Sequence, residues 1–268
     1  MGLFDVHAHL TNPRILQGLS RVLASAAEAG VTTIISNGLH RDDNEQVLAL
    51  SREHALIRPA LGLYPVDAVL SEMIELQVDY PRDDVVVLPA ETHLSWLRDH
   101  AREAIAIGEI GLDRYWVPKQ LWQRQEAVFV QAVEIAQEAQ LPIIIHSRKA
   151  ERRAFEILTE MGVERVNWHC YSSRLKLARE IAEAGHFLSI PANVRRSETF
   201  SKMLQTIPRS KLLLETDCPY LAPVAGGQSE PADVAKTARY ASELWNCSEQ
   251  QALTQLEENF AELFGFMP

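Results

Sequence analysis

The chain has 268 residues, 47% of them hydrophobic and 23% charged, so it is long enough to bury a large core and is most simply read as one domain. Its formal net charge of −10 counts against broad nucleic-acid binding, because a negative surface repels polyanions unless cations are concentrated at one mouth. We find no apolar run long enough to span a bilayer and no secretory signal. Three cysteines fit a reducing cytosol better than a disulfide framework, so we expect a cytoplasmic protein. The lack of an apolar span further leads us to expect no contact with membranes.

Predicted strands alternate with predicted helices along the whole chain. The first strand covers residues 3–6, and apolar residues at helical spacing from Leu16 to Ala26 predict a helix that ends before Gly30. The later predicted strands are residues 31–35, 58–63, 104–108, 142–146, 166–169, 187–190 and 211–215. The later predicted helices are residues 44–54, 121–139, 155–161, 175–184, 198–205, 231–244 and 249–264. The long connection 66–102 is expected to hold one or two helices and a loop, with Pro and charge concentrated at 79–84.

Eight successive strand-then-helix units indicate an α/β protein with a parallel sheet. Eight such units close a barrel, so we predict a (β/α)8 TIM barrel that occupies residues 1–268 as a single domain. A doubly wound open sheet is the alternative. It does not require polar residues at successive strand ends, whereas the sequence has them.

Metal-binding side chains follow several of the predicted strands. The two-residue period of a strand turns Asp5, His7 and His9 to one side, and two imidazoles at this spacing can chelate one ion. Taken alone, His7-Ala-His9 is as compatible with a solvent-facing strand end as with a ligand pair. Further candidate ligands come at the ends of other strands, where barrel enzymes place their sites, namely Glu109, His146, His169 and Asp217.

Four imidazoles and two carboxylates are more ligands than one tetrahedral ion needs. The sequence therefore predicts a two-metal site, in which a carboxylate such as Glu109 can bridge because each of its oxygens can take one ion. Two ions lower the pKa of a shared water and stabilise both the entering and leaving oxygens, which indicates hydrolysis. The sequence contains no dinucleotide-binding glycine motif, Walker motif or Gly-x-Ser-x-Gly elbow that would favour other chemistry.

These residues lie in motifs that resemble those of the TatD family of metal-dependent hydrolases, in the family's order and over essentially the whole chain. The motifs are His7-Ala-His9-Leu, Gly108-Glu-Ile-Gly-Leu-Asp113, Leu141-Pro-Ile-Ile-Ile-His146-Ser-Arg, His169-Cys-Tyr-Ser and Leu214-Glu-Thr-Asp217-Cys-Pro-Tyr-Leu-Ala-Pro223, with a similar ending at Asn259-Phe-Ala-Glu-Leu-Phe-Gly265. The resemblance implies a TIM barrel with a divalent-metal centre and phosphodiesterase activity, usually on DNA as a deoxyribonuclease or 3′ exonuclease.

The resemblance also implies a division of the ligands between two ions. One ion would be held by His7, His9, Glu109 and Asp217, and the second by Glu109, His146 and His169. Asp217 would in addition orient or deprotonate the attacking water, so Glu109 and Asp217 are the expected catalytic residues. Histidine-rich ligation favours zinc, manganese or cobalt, and the resemblance allows magnesium, so the identity of the ions stays open.

The departures from the family pattern concern the substrate. Tyr64 stands where the family commonly has a histidine, and residues 224–231 contain no basic residue where arginines are usual. Asp113 and Arg148 are candidates to orient a leaving group or hold a phosphate oxygen, although such neighbours are as often local caps or salt bridges. Tyr171, with Tyr115 and Trp116, could stack on a base or simply cover the core.

The sequence also bears on the remaining histidines and on two alternative functions. Five histidines have no partner pattern and are expected at the surface or in loops: His40, His54, His93, His100 and His186. The first alternative function is hydrolysis of an ester or amide, including deacylation of aminoacyl-tRNA, favoured by the missing basic loop and the negative charge. The second is a non-catalytic barrel that binds a partner, which the complete ligand set disfavours. The sequence does not determine the oligomeric state.

Overall fold

The computed structural model describes residues 2–80 and 87–268, and the predicted 79–84 loop lies mostly outside these ranges. Eight parallel strands form one sheet in the order β1 to β8, which confirms the predicted (β/α)8 barrel. The strands are β1 Leu3–Ala8, β2 Val31–Asn37, β3 Ile57–Leu61, β4 Ala106–Asp113, β5 Ile143–Arg148, β6 Val166–Trp168, β7 Phe187–Ile190 and β8 Leu212–Leu214.

Helices follow the strands and cover the outside of the barrel. In the described ranges they are α1 Pro13–Leu16, α2 Leu19–Glu28, α3 Arg41–Glu53, α4 Leu70–Glu75, α5 Ala90–His100, α6 Trp122–Ala139, α7 Glu151–Glu160, α8 Leu175–Glu183, α9 Glu198–Thr206, α10 Val234–Trp245 and α11 Glu249–Phe264. In these same ranges, the search for a helix with the length and apolarity to cross a membrane finds none.

The barrel closes where β1 meets the segment that follows β8. The backbone N–H of Asp217 donates to the His7 carbonyl at 2.8 Å, and that of His9 donates to the Cys218 carbonyl at 3.0 Å. Below them, the buried Asp5 carboxylate accepts from the backbone N–H and the hydroxyl of Thr216. The contacts that close the barrel therefore also bring Asp217 beside the two histidines of β1.

Strands β4 and β5 extend further than predicted. The sequence predicts their ends at Gly108 and His146, but parallel pairing continues through Leu112 with Ser147 and Asp113 with Arg148. Glu109 thus lies inside a strand. Glycines allow this close packing: a Cβ on Gly62 would come within 2.3 Å of the Glu109 nitrogen, and one on Gly111 within 1.9 Å of the His146 carbonyl oxygen.

The expectation that five histidines lie at the surface or in loops is wrong for His93, which is buried in α5, whereas His40 and His186 lie in connections between elements but are buried there. His40, His93 and His186 are each less than 9% exposed. His186 accepts from the indole N–H of buried Trp168 at 3.1 Å and faces the Val163 carbonyl at 2.9 Å with its other nitrogen. A neutral imidazole satisfies both partners at once, because one ring nitrogen accepts and the other donates.

His93 is expected to make the protein less stable in mild acid. Burial, together with the charge of His40, lowers its pKa to about 4, while its Nδ1 accepts from the Arg41 N–H and Asp42 acts in the opposite sense. Between pH 6.5 and 4, His93 binds a proton in the unfolded chain but not in the folded chain. The free energy of unfolding therefore falls as the pH falls through this window. His93→Asn keeps an acceptor and removes the titration.

The loss of stability between pH 7 and pH 5 should therefore be smaller in His93→Asn by about 1 kcal/mol, with allowance for solvent screening. Urea unfolding at the two pH values measures it, and His54→Asn, at the C-terminal end of α3, serves as the control. Equal pH dependence in the His93 variant and the wild type would show that His93 does not make this contribution.

Candidate metal centre

Six ligand-type side chains meet at the carboxyl end of the barrel. His7 belongs to β1, Glu109 to β4 and His146 to β5. His9 and His169 directly follow β1 and β6, and Asp217 comes three residues after the end of β8. Sets of these groups offer donor atoms that all lie within 4.8 Å of one another, including His7 with His9 and Asp217, and Glu109 with His146 and His169. The structure thus brings together every residue that the sequence predicts as a metal ligand.

Glu109 lies between two sets of imidazoles. Its Oε2 is 3.4 Å from His7 Nε2 and 3.5 Å from His9 Nε2. Its Oε1 is 2.8 Å from His146 Nδ1 and 3.3 Å from His169 Nε2. Each carboxylate oxygen therefore faces a different pair of imidazoles. Asp217 adds to the first set, with its Oδ1 3.3 Å from His9 Nε2 and 3.8 Å from His7 Nε2.

The pKa values of these groups respond strongly to one another. Burial by itself would raise the pKa of Glu109, but the charge of His169 and hydrogen bonds from His146, His169 and His7 hold it well below the usual value. Burial would lower the pKa of His169, yet Glu109 holds it well above the usual value. The pKa of His7 is lowered, first by burial and then by the charge of His169. The site therefore keeps carboxylates ionised beside closely packed imidazoles.

The donor set fits divalent metal ions. The Nε2 atoms of His7 and His9 are 3.2 Å apart, which is close to the distance expected between two nitrogens bound to one ion at about 2.0–2.1 Å. Nitrogens of neutral imidazoles placed this close repel unless a proton or a cation lies between them. Imidazole and carboxylate together suit zinc, manganese and related ions, so the residues present fit a metal.

Neighbouring side chains orient two of the histidines. Asp113 Oδ2 faces His146 Nε2 at 3.1 Å, and its Oδ1 accepts from the backbone N–H groups of Tyr115 and Trp116. The Asn37 carbonyl lies 3.2 Å from His9 Nδ1. Such contacts fix which ring nitrogen carries the proton, and the other nitrogen is left to face Glu109 or Asp217.

Two of the predicted substrate residues need correction. Asp113 is fully buried and already engaged by His146 and two backbone donors, so it lies behind a predicted ligand and has no free face for substrate. Tyr171 is also fully buried, with its hydroxyl donating to the Arg174 carbonyl and its ring packed edge-on against Trp168. A base cannot stack on it, because the loop after β6 turns the ring into the core.

Arg148 lies at the mouth of the site. A cavity of about 520 Å³ opens over the metal-binding residues and is lined in addition by Tyr64, Tyr80, Arg148 and Tyr220. The Arg148 guanidinium lies 3.7 Å from the centre of the Tyr115 ring, which holds it at the rim. Among the described residues that line the cavity, Arg148 is the one arginine or lysine.

Sequence reasoning missed two buried carboxylates that support the site. Asp5 precedes His7 by two residues on the same face of β1 and fixes the segment before Asp217 through Thr216. Glu215 is fully buried, and its Oε2 lies 3.7 Å from His169 Nδ1. The signal was a charged residue beside apolar strand residues, where burial without a partner is costly.

The chain matches the family model described as TatD related DNase over residues 4–265. This chain belongs to the TatD family. It is 29% identical to Deoxyribonuclease TATDN3 of Homo sapiens, with 98% of this chain and 95% of that protein covered. It is 31% identical to an uncharacterized metal-dependent hydrolase, YabD, of Bacillus subtilis, with 98% of each covered. This TatD protein is therefore a metal-binding hydrolytic enzyme.

Two further comparisons concern a TatD exonuclease and a TatD structure. The chain is 29% identical to the 3′-5′ ssDNA/RNA exonuclease TatD of Enterobacter lignolyticus, with 98% of this chain and 99% of that protein covered. The crystal structure of YJJV, a TatD homolog from Escherichia coli K12, superposes with a TM-score of 0.84 at 24% identity and covers 98% of each chain. The second comparison supports the barrel fold.

Proposed function

We propose that this TatD protein is a two-metal phosphodiesterase that cleaves DNA, acting from the 3′ end of a single strand. The observation that carries the proposal is the position of Glu109, whose two oxygens face two separate pairs of imidazoles. One carboxylate can serve two ions in this arrangement. The names of the relatives, deoxyribonuclease and 3′-5′ ssDNA/RNA exonuclease, support DNA as the substrate.

In this proposal His7, His9, Glu109 and Asp217 hold one ion, and Glu109, His146 and His169 hold the other. The ions, for which zinc, manganese and magnesium are the candidates, supply a lowered water pKa and neutralise charge on the phosphate when bound. Asp217 faces the cavity, and hydrogen bonding from His9 with the positive charges of the nearby histidines keeps its pKa low although burial acts to raise it. As an ionised carboxylate, Asp217 orients the attacking water and takes its proton.

Arg148 is proposed to bind a phosphate oxygen. Its guanidinium carbon lies 3.7 Å from the centre of the Tyr115 ring, and a guanidinium can donate two N–H groups to one phosphate. Tyr220 is 50% exposed at the same mouth and offers a ring face to a terminal base. The described lining of the cavity has one arginine or lysine. Such a cavity suits the end of a DNA strand with one bound phosphate better than it suits a long duplex.

A second candidate function is hydrolysis of an ester or amide bond, including aminoacyl-tRNA deacylation. The scarcity of cations on the cavity wall favours it, because the reaction at an acyl carbon requires no phosphate contact. The proposed metals would serve this reaction equally well. The bond that is cleaved therefore has to be tested directly.

Chelation combined with a substrate panel is expected to separate the candidates. Protein treated with EDTA should lose its activity on single-stranded DNA carrying a 3′ or a 5′ label. Added Mn²⁺, Zn²⁺ or Mg²⁺ should restore this activity to an extent that depends on how well each ion suits the imidazole and carboxylate ligands. Bis-p-nitrophenyl phosphate and p-nitrophenyl acetate report phosphodiester and ester cleavage in parallel. Activity that persists after chelation, or that is confined to the acetate, would reject the proposal.

We also propose that residues 1–268 act as one domain in the cytoplasm. The three cysteines are unpaired in the structure, which suits a reducing compartment.

A further inference from the structure

A second carboxylate lies beneath the proposed metal ligands. Glu215 follows β8 and is fully buried. Its Oε1 accepts from the Cys170 backbone N–H at 2.8 Å, and its Oε2 accepts from the Ser189 hydroxyl at 2.6 Å. No step of the proposed reaction uses this residue, yet burying a carboxylate is costly unless it is paired and hydrogen-bonded with its neighbours.

Glu215 faces the far side of two histidines of the centre. His169 Nδ1 is 3.7 Å from Glu215 Oε2, while the opposite ring nitrogen of His169 faces Glu109. The rings of His7 and His169 stack with centroids 3.8 Å apart and planes 12° from parallel. His7, His169 and Glu215 each offer an atom within 4.8 Å of the other two, so one carboxylate lies beside both rings.

The protonation of the two rings explains what such a carboxylate does. Nε2 of both histidines points toward Glu109, so in a metal-bound ring that is neutral the proton is on Nδ1. Both Nδ1 atoms are buried without a hydrogen-bond partner among the described residues. A carboxylate held by an N–H and an O–H still has free lone pairs, and it can accept from the His169 N–H after a shift of less than about 1 Å. A ring nitrogen of His7 lies within 4.8 Å of the same carboxylate, so accepting from His7 requires a larger adjustment.

We propose that Glu215 is a positioning residue shared by His7 and His169. Because His7 belongs to one proposed ligand set and His169 to the other, Glu215 supports both halves of the centre at once. The inference rests on the proposed two-ion centre. An ion bound directly to Glu215 is the competing explanation, and the donors of Cys170 and Ser189 disfavour it because they occupy lone pairs on both oxygens.

Asp113 provides an internal comparison. Its carboxylate reaches His146 at 3.1 Å and is a positioning residue for a single ligand. Loss of Asp113 should therefore weaken the binding of one ion, whereas loss of Glu215 should weaken the binding of both. The two carboxylates are similarly buried, so a general effect of removing a buried charge should not distinguish them.

The test is titration of chelator-stripped protein with Mn²⁺ by calorimetry. Wild type should bind two ions, and Glu215→Gln should bind both about 10–100-fold more weakly, because its amide cannot accept from Nδ1–H on both oxygen positions. Asp113→Asn should weaken one binding step. Ser189→Ala, which removes one support of Glu215 and should fold normally, is expected to give a smaller loss of about threefold.

Glu257→Gln is the matched control, because Glu257 is a buried carboxylate that accepts from the Gly2 backbone N–H, away from the centre. Nitrogen-15 NMR of the Zn²⁺-loaded wild type should show Nδ1-protonated His7 and His169. Unchanged Mn²⁺ affinity in folded Glu215→Gln, weakening of one step alone, or loss of a third ion would overturn the inference.

Failure of this inference can be told apart from failure of the proposed function. Wild type that binds two ions but cleaves no phosphodiester would reject the function and leave the role of Glu215 standing. Wild type that cleaves DNA while Glu215→Gln keeps wild-type affinity for Mn²⁺ would reject the role of Glu215 and leave the proposed function standing. Wild type that binds one ion would reject both the two-ion centre and the shared role.

Discussion

Replacing Glu109 with glutamine should lower kcat on single-stranded DNA about 10³-fold or more. The amide has one acceptor oxygen, so it cannot present a negatively charged oxygen to both imidazole pairs. In the wild type, Oε2 faces His7 and His9, and Oε1 faces His146 and His169. The substitution leaves the four imidazoles without their common anionic partner.

The expected loss has two parts that can be measured separately. The metal content of the purified variant, read by elemental analysis, should fall below that of the wild type because a bridging ligand is gone. Steady-state kinetics at saturating Mn²⁺ should still show the loss in kcat. Glu198→Gln, an exposed carboxylate paired with Lys202, is the control and should retain wild-type kinetics. Activity of Glu109→Gln within tenfold of the wild type would rule out a bridging role.

The metal ligands could be predicted from the sequence because the fold puts strand ends at one place. A histidine or acid near a strand end is uninformative alone, but His7, His146 and Asp217 lie at or after the carboxyl ends of different strands of a parallel barrel, and these ends share one rim. The strand period also places His7 and His9 on one face. Both inferences use short-range rules, which a single sequence contains.

The residues that sequence reasoning misplaced depend on longer-range packing. Tyr171 follows β6 and Arg148 ends β5, yet the first is buried beside Trp168 and the second lies over Tyr115 at the rim. Which way a loop turns is decided by contacts with other elements, and the period of a strand carries no information on it. Of the two alternatives left open for Tyr171, stacking on a base or covering the core, the structure therefore shows the second.

Glu215 and Asp5 were overlooked for a related reason. Each is a charged residue beside apolar strand residues, and a sequence does not show whether such a residue ends a strand or enters the interior. In the structure Asp5 meets Thr216 across the closing seam, and Glu215 meets Ser189 on the adjacent strand. Those partners lie far away in the chain or across a strand pair, so the pairing had to be seen before the role could be inferred.

Replacing Asp217 with asparagine should lower kcat about 10²–10⁴-fold and change KM little. Asp217 has a positive φ of 54°, which asparagine adopts more readily than most residues, so the backbone turn after β8 should be kept. Its Oδ1 faces His9 at 3.3 Å, and the asparagine oxygen can occupy the same place. The carboxylate that takes the proton of the attacking water is lost, whereas one ligand oxygen remains.

This pattern separates Asp217 from Glu109, because Asp217→Asn should keep a larger share of its metal than Glu109→Gln. Asp43→Asn is the matched control: Asp43 also lines the cavity, but it accepts from the Leu39 backbone N–H and belongs to neither ligand set. Its kcat should fall by less than tenfold. If Asp217→Asn with full metal content cleaved DNA at the wild-type rate, proton transfer would have to be assigned to another group on the cavity wall, since a fully loaded centre would then work without this carboxylate.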